Sequence, residues 1–497
     1  MKRRRTQSVR SVILPLWLAA ITVIAATTAV GVTSHTTALA RPKKEKDKEK
    51  KAKEAAPKVA KAIPVPSPYL ELKHETTLAR YGRRTIKDML RGKEPLTPLF
   101  DEFFVKWFFP QLTQLENRER LPELRDQLQE YYLIARRNQT STDRLNDLSR
   151  DLLLGIALGA SKVVVKDGRS VHVVRRLGSG GKKRDLYWTM DHQVIPMKDV
   201  AKRVRPTRDF DMTVRYNAML LVAGLNGKPA YKDTPAEPWL DVLQDLLKVA
   251  HYDQAPQSIR VAALIGVARH ANVPNLDGAI KETIASRMAA IIDQPAEGNQ
   301  APDGDAWIRR QAIDILGRLQ IPGAANRNVT TLGEVIADQD KPLPLRSAAA
   351  GAMGAIDVTG VPPEQASNLT DELIRLAIDC CRHESSGSIN IGEVAAWQQL
   401  TFSVQKAFQA IRAFHPLLPE DKRQVASEVE ETLNSILNNG ANQGLTSQDR
   451  TEMLANGVAE IEQILSGEGA AEKPGTDAEP KAAKPVPVEP PADFEEF

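Results

Sequence analysis

The sequence of 497 residues contains only two cysteines, Cys380 and Cys381, and they are adjacent. A disulfide framework is therefore excluded. The segment 370–383 has helical periodicity, and neighbouring side chains of a helix point about 100° apart, so a bridge between the two thiols would require distortion. Even with His383 they lack the spacing of a zinc knuckle. We interpret them as structural thiols, with a metal or redox role as the alternative.

Aromatic residues are also scarce, at 5% of the chain, whereas alanine and leucine are abundant. Strands of sandwiches and barrels are rich in β-branched and aromatic residues, and helices are rich in alanine and leucine. The composition therefore favours a mainly α protein.

The motifs of common enzyme classes are missing from the sequence. The eight histidines form no H-x-x-x-H or H-E-x-x-H pattern, and no G-x-S-x-G elbow occurs. The stretch RRLGSGGKKRD at 175–185 is no Walker loop, because Arg176 and Lys183 stand where Gly and Ser or Thr are required. It is no dinucleotide fingerprint either, because Lys183 replaces the third Gly. We therefore predict no enzymatic activity, no cofactor and no bound metal.

The first forty residues have the features of an export signal. Four basic residues at 2–5 precede an apolar run at 12–32, and Ala38-Leu39-Ala40 offers a cleavage site. The run is also long enough to span a bilayer, so an uncleaved anchor is the alternative. In both cases positive charge retains the N-terminus in the cytoplasm. We expect a periplasmic or cell-envelope protein, soluble after cleavage or anchored by this segment.

The net charge of +4 comes from this leader, which has five basic residues and no acidic ones, so the remainder is close to neutral. Residues 41–62 hold ten basic and four acidic residues and begin a Lys-rich, then Pro-rich linker predicted at 41–67. Residues 467–497 hold three basic and eight acidic residues and form an acidic, Pro-rich tail. Neither segment can bury enough apolar area to offset chain entropy, so both are predicted to be disordered.

Four segments align without gaps between these ends: 214–225, 259–270, 308–319 and 345–356. Each begins with an aliphatic residue and an arginine, and an alanine follows three positions later. The arginines are Arg215, Arg260, Arg309 and Arg346, and the alanines are Ala218, Ala263, Ala312 and Ala349. A weaker copy at 403–414 keeps Ala407 but has Val404 in place of arginine. Helical segments precede and follow these copies.

The small alanine allows neighbouring helices to approach closely. Acidic residues precede each arginine, and we expect them to cap the helices and to form a ladder of ion pairs with the arginines, each aspartate coming from the same or the preceding repeat. The acidic residues are Asp209, Asp211, Asp253, Asp303, Asp305, Asp338 and Asp340.

The aligned segments, of which IRRQAIDILGRL is the best copy, resemble the second helix of HEAT and HEAT-like repeats, including those of the phycobilisome-lyase type. The resemblance covers residues 205–415. The resemblance implies an α-solenoid that acts as a scaffold or binding surface, with the Asp/Arg ladder as a family feature. It implies no substrate, and no residue marks a bilin site.

The region 68–160 reads as helices that extend or cap the solenoid. Phe100, Phe103, Phe104, Trp107 and Phe108 fall on one helical face, which is typical of a core and is otherwise a partner groove or membrane surface. Two amphipathic helices follow at 121–137 and 141–160, the second with Ser141 or Thr142 as N-cap.

A change of periodicity at 161–200 predicts a small β insertion. Two β-rich runs flank Asp167-Gly168, a strong hairpin signal, and 186–190 supplies a third strand. Residues 175–208 carry a marked excess of basic side chains, which attract anionic lipid, acidic polysaccharide or an acidic protein, or form a solvated face. The candidate residues are Arg175, Arg176, Lys182, Lys183, Arg184, Lys202, Arg203 and Arg205. Nucleic acid is disfavoured, because an exported protein seldom meets it and only Tyr187 and Trp188 offer stacking.

The sequence thus predicts an α-solenoid of HEAT-like helix pairs with an N-terminal helical region and a β-hairpin or meander insertion. The predicted order is a signal peptide or anchor at 1–40, the linker at 41–67, helices at 68–160, the insertion at 161–200, repeats at 205–466 and the tail at 467–497. We expect a non-catalytic scaffold that binds protein partners or anionic envelope components. The alternative is an enzyme or metal-binding protein with a site near His172 and His192, which flank the β insertion and would meet there together with Asp191.

Overall fold

Helices dominate the computed structural model of the chain. It describes residues 78–80, 84–159, 161–177, 186–189, 193–203, 210–232, 234–295, 301–385, 394–441 and 445–466, all within one compact unit, Pro66–Phe497. The predicted leader, linker and tail lie outside the described residues. Within them, no helix combines the length and the apolar character needed to cross a membrane.

The N-terminal helices form around the phenylalanine cluster. They are α1 (Thr85–Leu90), α2 (Pro98–Phe103), α3 (Leu121–Ala135) and α4 (Gln139–Leu158), and α2 continues through a π-helical turn at Phe104–Phe108 into Phe109–Gln111. Four of the five predicted aromatic side chains are buried and Trp107 is half-buried. The Phe103 and Phe104 rings meet edge to face at 5.0 Å between centroids, and Tyr131 of α3 packs against both. The core interpretation of this stripe is confirmed.

The predicted N-cap of α4 is wrong. Helix α4 begins earlier because Asn138 is the cap, and its side-chain oxygen accepts a hydrogen bond from the Ser141 amide. Ser141 and Thr142 are instead buried, and their hydroxyls donate to the carbonyls of Met89 and Ala135.

The insertion is an antiparallel sheet with the strand order β4-β3-β2-β1-β5. The predicted hairpin is confirmed, with β1 (Ser161–Val165) paired to β2 (Ser170–Leu177), and so is the third strand, β3 (Leu186–Thr189). Two short strands that the sequence did not reveal complete it, β4 (Val194–Pro196) and β5 (Val200–Arg203). Val173 forms a small core with Val171, Ile195 and Val200.

Eleven helices follow in the described part of the chain. They are α5 (Met212–Ala223), α6 (Leu243–His251), α7 (Gln257–Ala271), α8 (Gly278–Asp293), α9 (Pro302–Leu319), α10 (Arg327–Ala337), α11 (Leu343–Met353), α12 (Pro363–Ser385), α13 (Val394–Phe414), α14 (Glu420–Gly440) and α15 (Ser447–Ser466). Between α5 and α6, two short strands pair, β6 (Asn226–Lys228) and β7 (Glu237–Pro238).

These helices contact one another in two series. In the first series α4, α5, α7, α9, α11 and α13 each pack on the next, and in the second series α6, α8, α10, α12 and α15 do so. Helices that follow each other in sequence also pair, as α6 does with α7 and α8 with α9. The predicted alanines, Ala218, Ala263, Ala312 and Ala349, lie in the first series and are all buried.

The same two segment positions meet at three interfaces of the first series. Position ten of one aligned segment lies against position eight of the next. A Cβ atom added to Gly266 would lie 2.8 Å from the Ala223 Cβ, one added to Gly317 would lie 3.0 Å from the Ala352 Cα, and one added to Gly354 would lie 2.9 Å from the Ala410 amide nitrogen. Small residues therefore hold these helices at close approach and in a common register.

The four predicted arginines share a structural contact. Arg215 donates to the Ala157 carbonyl, Arg260 to Ala250 and Arg346 to Ile336, at 2.8 to 2.9 Å, and Arg309 donates to Ile292 and Gln294 at 2.7 and 2.5 Å. Each acceptor lies at the end of the preceding helix in the first or second series. The last carbonyls of a helix lack intrahelical donors and carry its negative dipole end, which explains why a cation is placed there.

The contact extends beyond the predicted set. Arg450 of α15 donates in the same way to the Gly440 carbonyl of α14. Arg215 of α5 joins that helix to the end of α4 in the same way, although the β insertion separates these two helices in the sequence. Each of these arginines thus joins two helices of one pair.

The aspartates behave differently from the prediction. Asp305 pairs with Arg309 of its own helix, as expected, but the partner of Arg346 is Asp379 of the following helix α12. Asp211 caps α5, whereas the N-cap residues of α7, α9 and α11 are Pro256, Ala301 and Pro342 without side-chain capping. Asp209 lies outside the described residues.

We expect Arg309→Ala to destabilise the fold more than Asp305→Ala does. The first change removes the ion pair and, with it, two charge-assisted bonds to carbonyls, at a cost of about 2–3 kcal/mol. The second removes the ion pair alone, worth about 1 kcal/mol or less. Thermal denaturation of both variants measures the difference. Equal losses would show that the ion pair, and not the carbonyl contact, carries the stability.

Candidate functional site

An exposed apolar row crosses three successive helices of the first series. It consists of Trp307 on α9, Pro344 on α11 and Phe402 on α13, each one position before an aligned segment. Trp307 and Phe402 are 49% and 53% exposed, and Pro344 is exposed as well. Single exposed apolar residues are ordinary, but a contiguous group marks an interaction surface. We call these three residues the exposed row.

The helices that carry the row pack closely on one another. Gly317 of α9 meets Ala352 of α11, and Gly354 of α11 meets Ala410 of α13, through the same two segment positions. Arg310 beside Trp307 and Lys406 beside Phe402 also interact electrostatically, so the two aromatic residues belong to one region of the surface. In the two earlier helices the corresponding residues are Thr213 and Ser258, which are polar, so the row is confined to α9, α11 and α13.

A cation lies beside each aromatic ring of the row. The Arg310 guanidinium carbon is 6.0 Å from the Trp307 ring centroid, and the Lys406 Nζ is 4.3 Å from the Phe402 ring centroid. The Lys406 side chain passes over Gly351 of α11, where an added Cβ would lie 3.0 Å from its Cδ. The Lys406 side chain thus crosses the short residues of α11 toward Arg310 and Asp314 of α9.

Asp314 lies among these cations. Burial raises the pKa of the Asp314 carboxyl, and the positive charges of Arg310, Lys406 and Arg318 oppose this rise. Burial also lowers the pKa of the Lys406 ammonium, an effect that Arg310 reinforces and Asp314 opposes. The acid and the bases are therefore held close together at the base of the row, at a cost in desolvation.

The structure describes only some of the basic residues of the insertion. Arg175 and Arg176 pair with Trp188 and Tyr187 on β3, and Lys202 and Arg203 pair with Val164 and Val163 on β1. Val163 also pairs with Val171, so Arg203 is level with a position four residues before Arg175, roughly 13 Å away along the strand. The two groups therefore lie on the same sheet but at different positions along its strands. Lys182, Lys183, Arg184 and Arg205 lie outside the described residues.

Of the two histidines of the alternative site, the structure describes only His172. His172 pairs with Lys162 across β1 and β2, and His192 lies outside the described residues. Among the residues that the structure does describe, no group of three or more His, Cys, Asp or Glu side chains is placed to hold a metal ion.

The two cysteines are buried on α12, as the structural interpretation requires. Burial raises the pKa of Cys380 to about 11 and that of Cys381 to about 12. The Cys380 Sγ lies 3.8 Å from the Ser347 Oγ of α11. Since the thiolate is the reactive form, both thiols are poor nucleophiles.

A polar cleft of about 420 Å³ lies where α8 ends beside α9 and α10. Arg309 lines it, but its guanidinium is already bound to Asp305 and to two carbonyls. Asp293 and Asp338 are paired with Arg327 and Lys341. The cleft is therefore largely a consequence of the arginine contact between α8 and α9.

Sequence reasoning missed the exposed row. Trp307 and Phe402 each stand one residue before a recognised segment, so an aromatic residue at that shared position was the available signal. Hydrophobicity alone does not separate an exposed aromatic residue from a buried one, because the outward direction depends on which helices become neighbours.

We expect Asp314→Asn to raise the melting temperature at neutral pH. The folded state holds the Asp314 carboxyl with a raised pKa, so ionisation costs stability above that pKa, and the amide removes the cost. The advantage shrinks as the pH falls through the raised pKa and vanishes below the ordinary pKa of 3.8, where the carboxyl is protonated in both states. Asp126→Asn, a change of equal charge at an exposed position within α3, is the control. A variant no more stable than the wild type at pH 7 would contradict the assignment.

Comparison with known proteins found no matching family model, no matching curated protein and no matching solved structure. The functional role of the exposed row therefore depends on the contacts and exposure of its own side chains.

Proposed function

We propose that this chain is a non-catalytic, exported or membrane-tethered α-solenoid scaffold that binds a protein partner through the exposed row. The observation that carries the proposal is the row itself, in which Trp307, Pro344 and Phe402 are exposed at one shared position of three adjacent helices. Aromatic residues flanked by cations are typical of protein interfaces, where tryptophan and arginine provide much of the binding energy.

Three features support a HEAT-like solenoid. The helices pack in two series, each on its neighbour. The same two segment positions meet at three interfaces, and the same arginine contact joins five helix pairs. Repeats that contact only their neighbours produce long binding surfaces, and we assign the row to such a surface.

The location of the scaffold follows from the leader. Its basic start, apolar run and Ala38-Leu39-Ala40 support export, with cleavage and anchoring as the two outcomes. Anionic lipid or polysaccharide of the envelope is a second class of partner, for the basic residues of the insertion.

The variant Trp307→Ala/Phe402→Ala tests the partner surface. We expect it to recover at least tenfold less of a specific protein from a cell-envelope extract than the wild-type chain does, because truncating two central aromatic residues removes about 2 kcal/mol or more of binding energy. Mass spectrometry of the recovered protein provides the measurement. Leu240→Ala removes a similarly exposed apolar side chain, 43% exposed, outside the row and is the matched control.

Both variants are expected to melt within a few degrees of the wild type, because exposed side chains contribute little to folding. If the double variant and the control retain the same proteins in the same amounts, the row is not the partner surface.

The charge-reversed variant Lys182→Glu/Lys183→Glu/Arg184→Glu tests the insertion. We expect it to dissociate from anionic liposomes or an acidic polysaccharide matrix at a lower salt concentration than the wild type does. The reason is that electrostatic attraction, which salt screens, retains the chain there. Elution profiles over a salt gradient measure this. An unchanged profile would remove the insertion from the proposed function.

A further inference from the structure

We propose that the acidic, Pro-rich segment 467–497 of this chain binds the exposed row and competes there with the protein partner. This inference rests on the proposed function, because it assigns an occupant and a means of regulation to the same surface. Three observations lead to it: the chemistry of the row, the charge of the segment and the place where the described chain leaves α15.

The chemistry of the row suits an extended Pro-rich strand. Polyproline II segments dock on aromatic residues that stand apart across a shallow groove, and they lose little entropy because proline presets their conformation. Trp307 and Phe402 stand on α9 and α13, with the short residues of α11 between them. Two helix spacings of 8–10 Å separate them by roughly 16–20 Å, which five or six polyproline residues span at about 3.1 Å each.

The segment contains such a strand. Residues 485–494 read PVPVEPPADF, with Pro487 and Pro490 spaced as in P-x-x-P ligands. In the proposed complex its prolines lie between the two rings, and Glu489 and Asp493 flank a Pro-Pro step.

The charges of the two partners are complementary. The segment holds eight acidic and three basic residues. The row presents Arg310 and Lys406 directly beside its rings. No described acidic side chain forms an ion pair with either of these two cations, and the electrostatic influence of Asp314 is shared among them and Arg318. An acidic strand lying along the row therefore meets donors at both aromatic positions.

The path from α15 to the row is short. An ion pair between Arg382 and Glu462 joins the last turn of α15 to the last turn of α12. Helix α12 packs along α13, which carries Phe402 in its third turn. Two helix diameters of about 10–12 Å separate α15 from α13, whereas the residues between Ser466 and Pro485, at about 3.1 Å each, reach roughly 56 Å.

Tethering makes the segment an effective competitor. A segment held by a short linker acts at an effective concentration in the millimolar range. A weak interaction is then sufficient to occupy the row in the absence of a partner, and a tighter partner displaces it.

A labelled peptide of residues 481–497 tests the proposal by fluorescence anisotropy with full-length chains. The reference is the wild-type chain, and the second chain carries Pro485→Ala, Pro487→Ala, Pro490→Ala and Pro491→Ala, which keep every charge. We expect the second chain to bind the peptide at least tenfold more tightly, because its own segment no longer competes. Adding Trp307→Ala and Phe402→Ala to it should weaken binding at least tenfold, whereas adding Leu240→Ala should not.

A peptide with the same four prolines replaced by alanine is the charge-matched control, and we expect it to bind at least tenfold more weakly. Equal affinity of the two peptides would mean that charge alone attracts the segment. Equal affinity of the wild-type peptide for the wild-type chain and for the second chain would mean that the row is not occupied in the wild type. Either result overturns the inference.

Failure of this inference is separable from failure of the proposed function. If the peptide does not bind but Trp307→Ala/Phe402→Ala still loses the envelope protein, the row binds another chain and only the intramolecular occupant is wrong. If the double variant changes neither binding, the row is not an interaction surface and both proposals fall.

Discussion

The fold depends on a buried guanidinium that donates to the last carbonyls of a neighbouring helix. Arg260 and Arg346 are each 2% exposed, a burial that only bonded charged groups tolerate. The carbonyls at a helix end have no donors of their own, and the negative end of the helix dipole favours a cation. The contact therefore gives the carbonyl a donor and the guanidinium an acceptor, and it joins the two helices of a pair.

This pairing determines what the surface presents. With each pair fixed, alanine and glycine allow the first-series helices to approach closely, as at Gly317 and Gly354. On α9, α11 and α13 the residue immediately before the aligned segment is exposed. These residues are Trp307, Pro344 and Phe402. The proposed binding surface is thus a consequence of the packing that stabilises the protein.

The sequence predicted the helices, the hairpin and the buried alanines because each depends on local periodicity or a strong turn signal. It missed β4 and β5, which are too short to show alternation and exist through pairing with β3 and β1. It missed Arg450, whose segment has Met453 where the others have alanine, so the motif failed although the arginine contact persists. It assigned aspartates as arginine partners, because a carbonyl acceptor leaves no trace in residue identity. Exposure of the row was beyond the sequence, since it depends on which helices become neighbours.

Hydrogen–deuterium exchange of Arg346→Ala tests the central role of the arginine contact most directly. Arg346 joins α11 to the end of α10. The account predicts that amides of Arg327–Ala337 and Leu343–Met353 exchange at least tenfold faster than in the wild type, because losing a charge-assisted bond of about 1.5–3 kcal/mol favours local opening. Amides of Leu121–Ala135, which lie on other helices, should keep their rates. Unchanged exchange in α10 and α11 would contradict the claim that this contact holds the pair together.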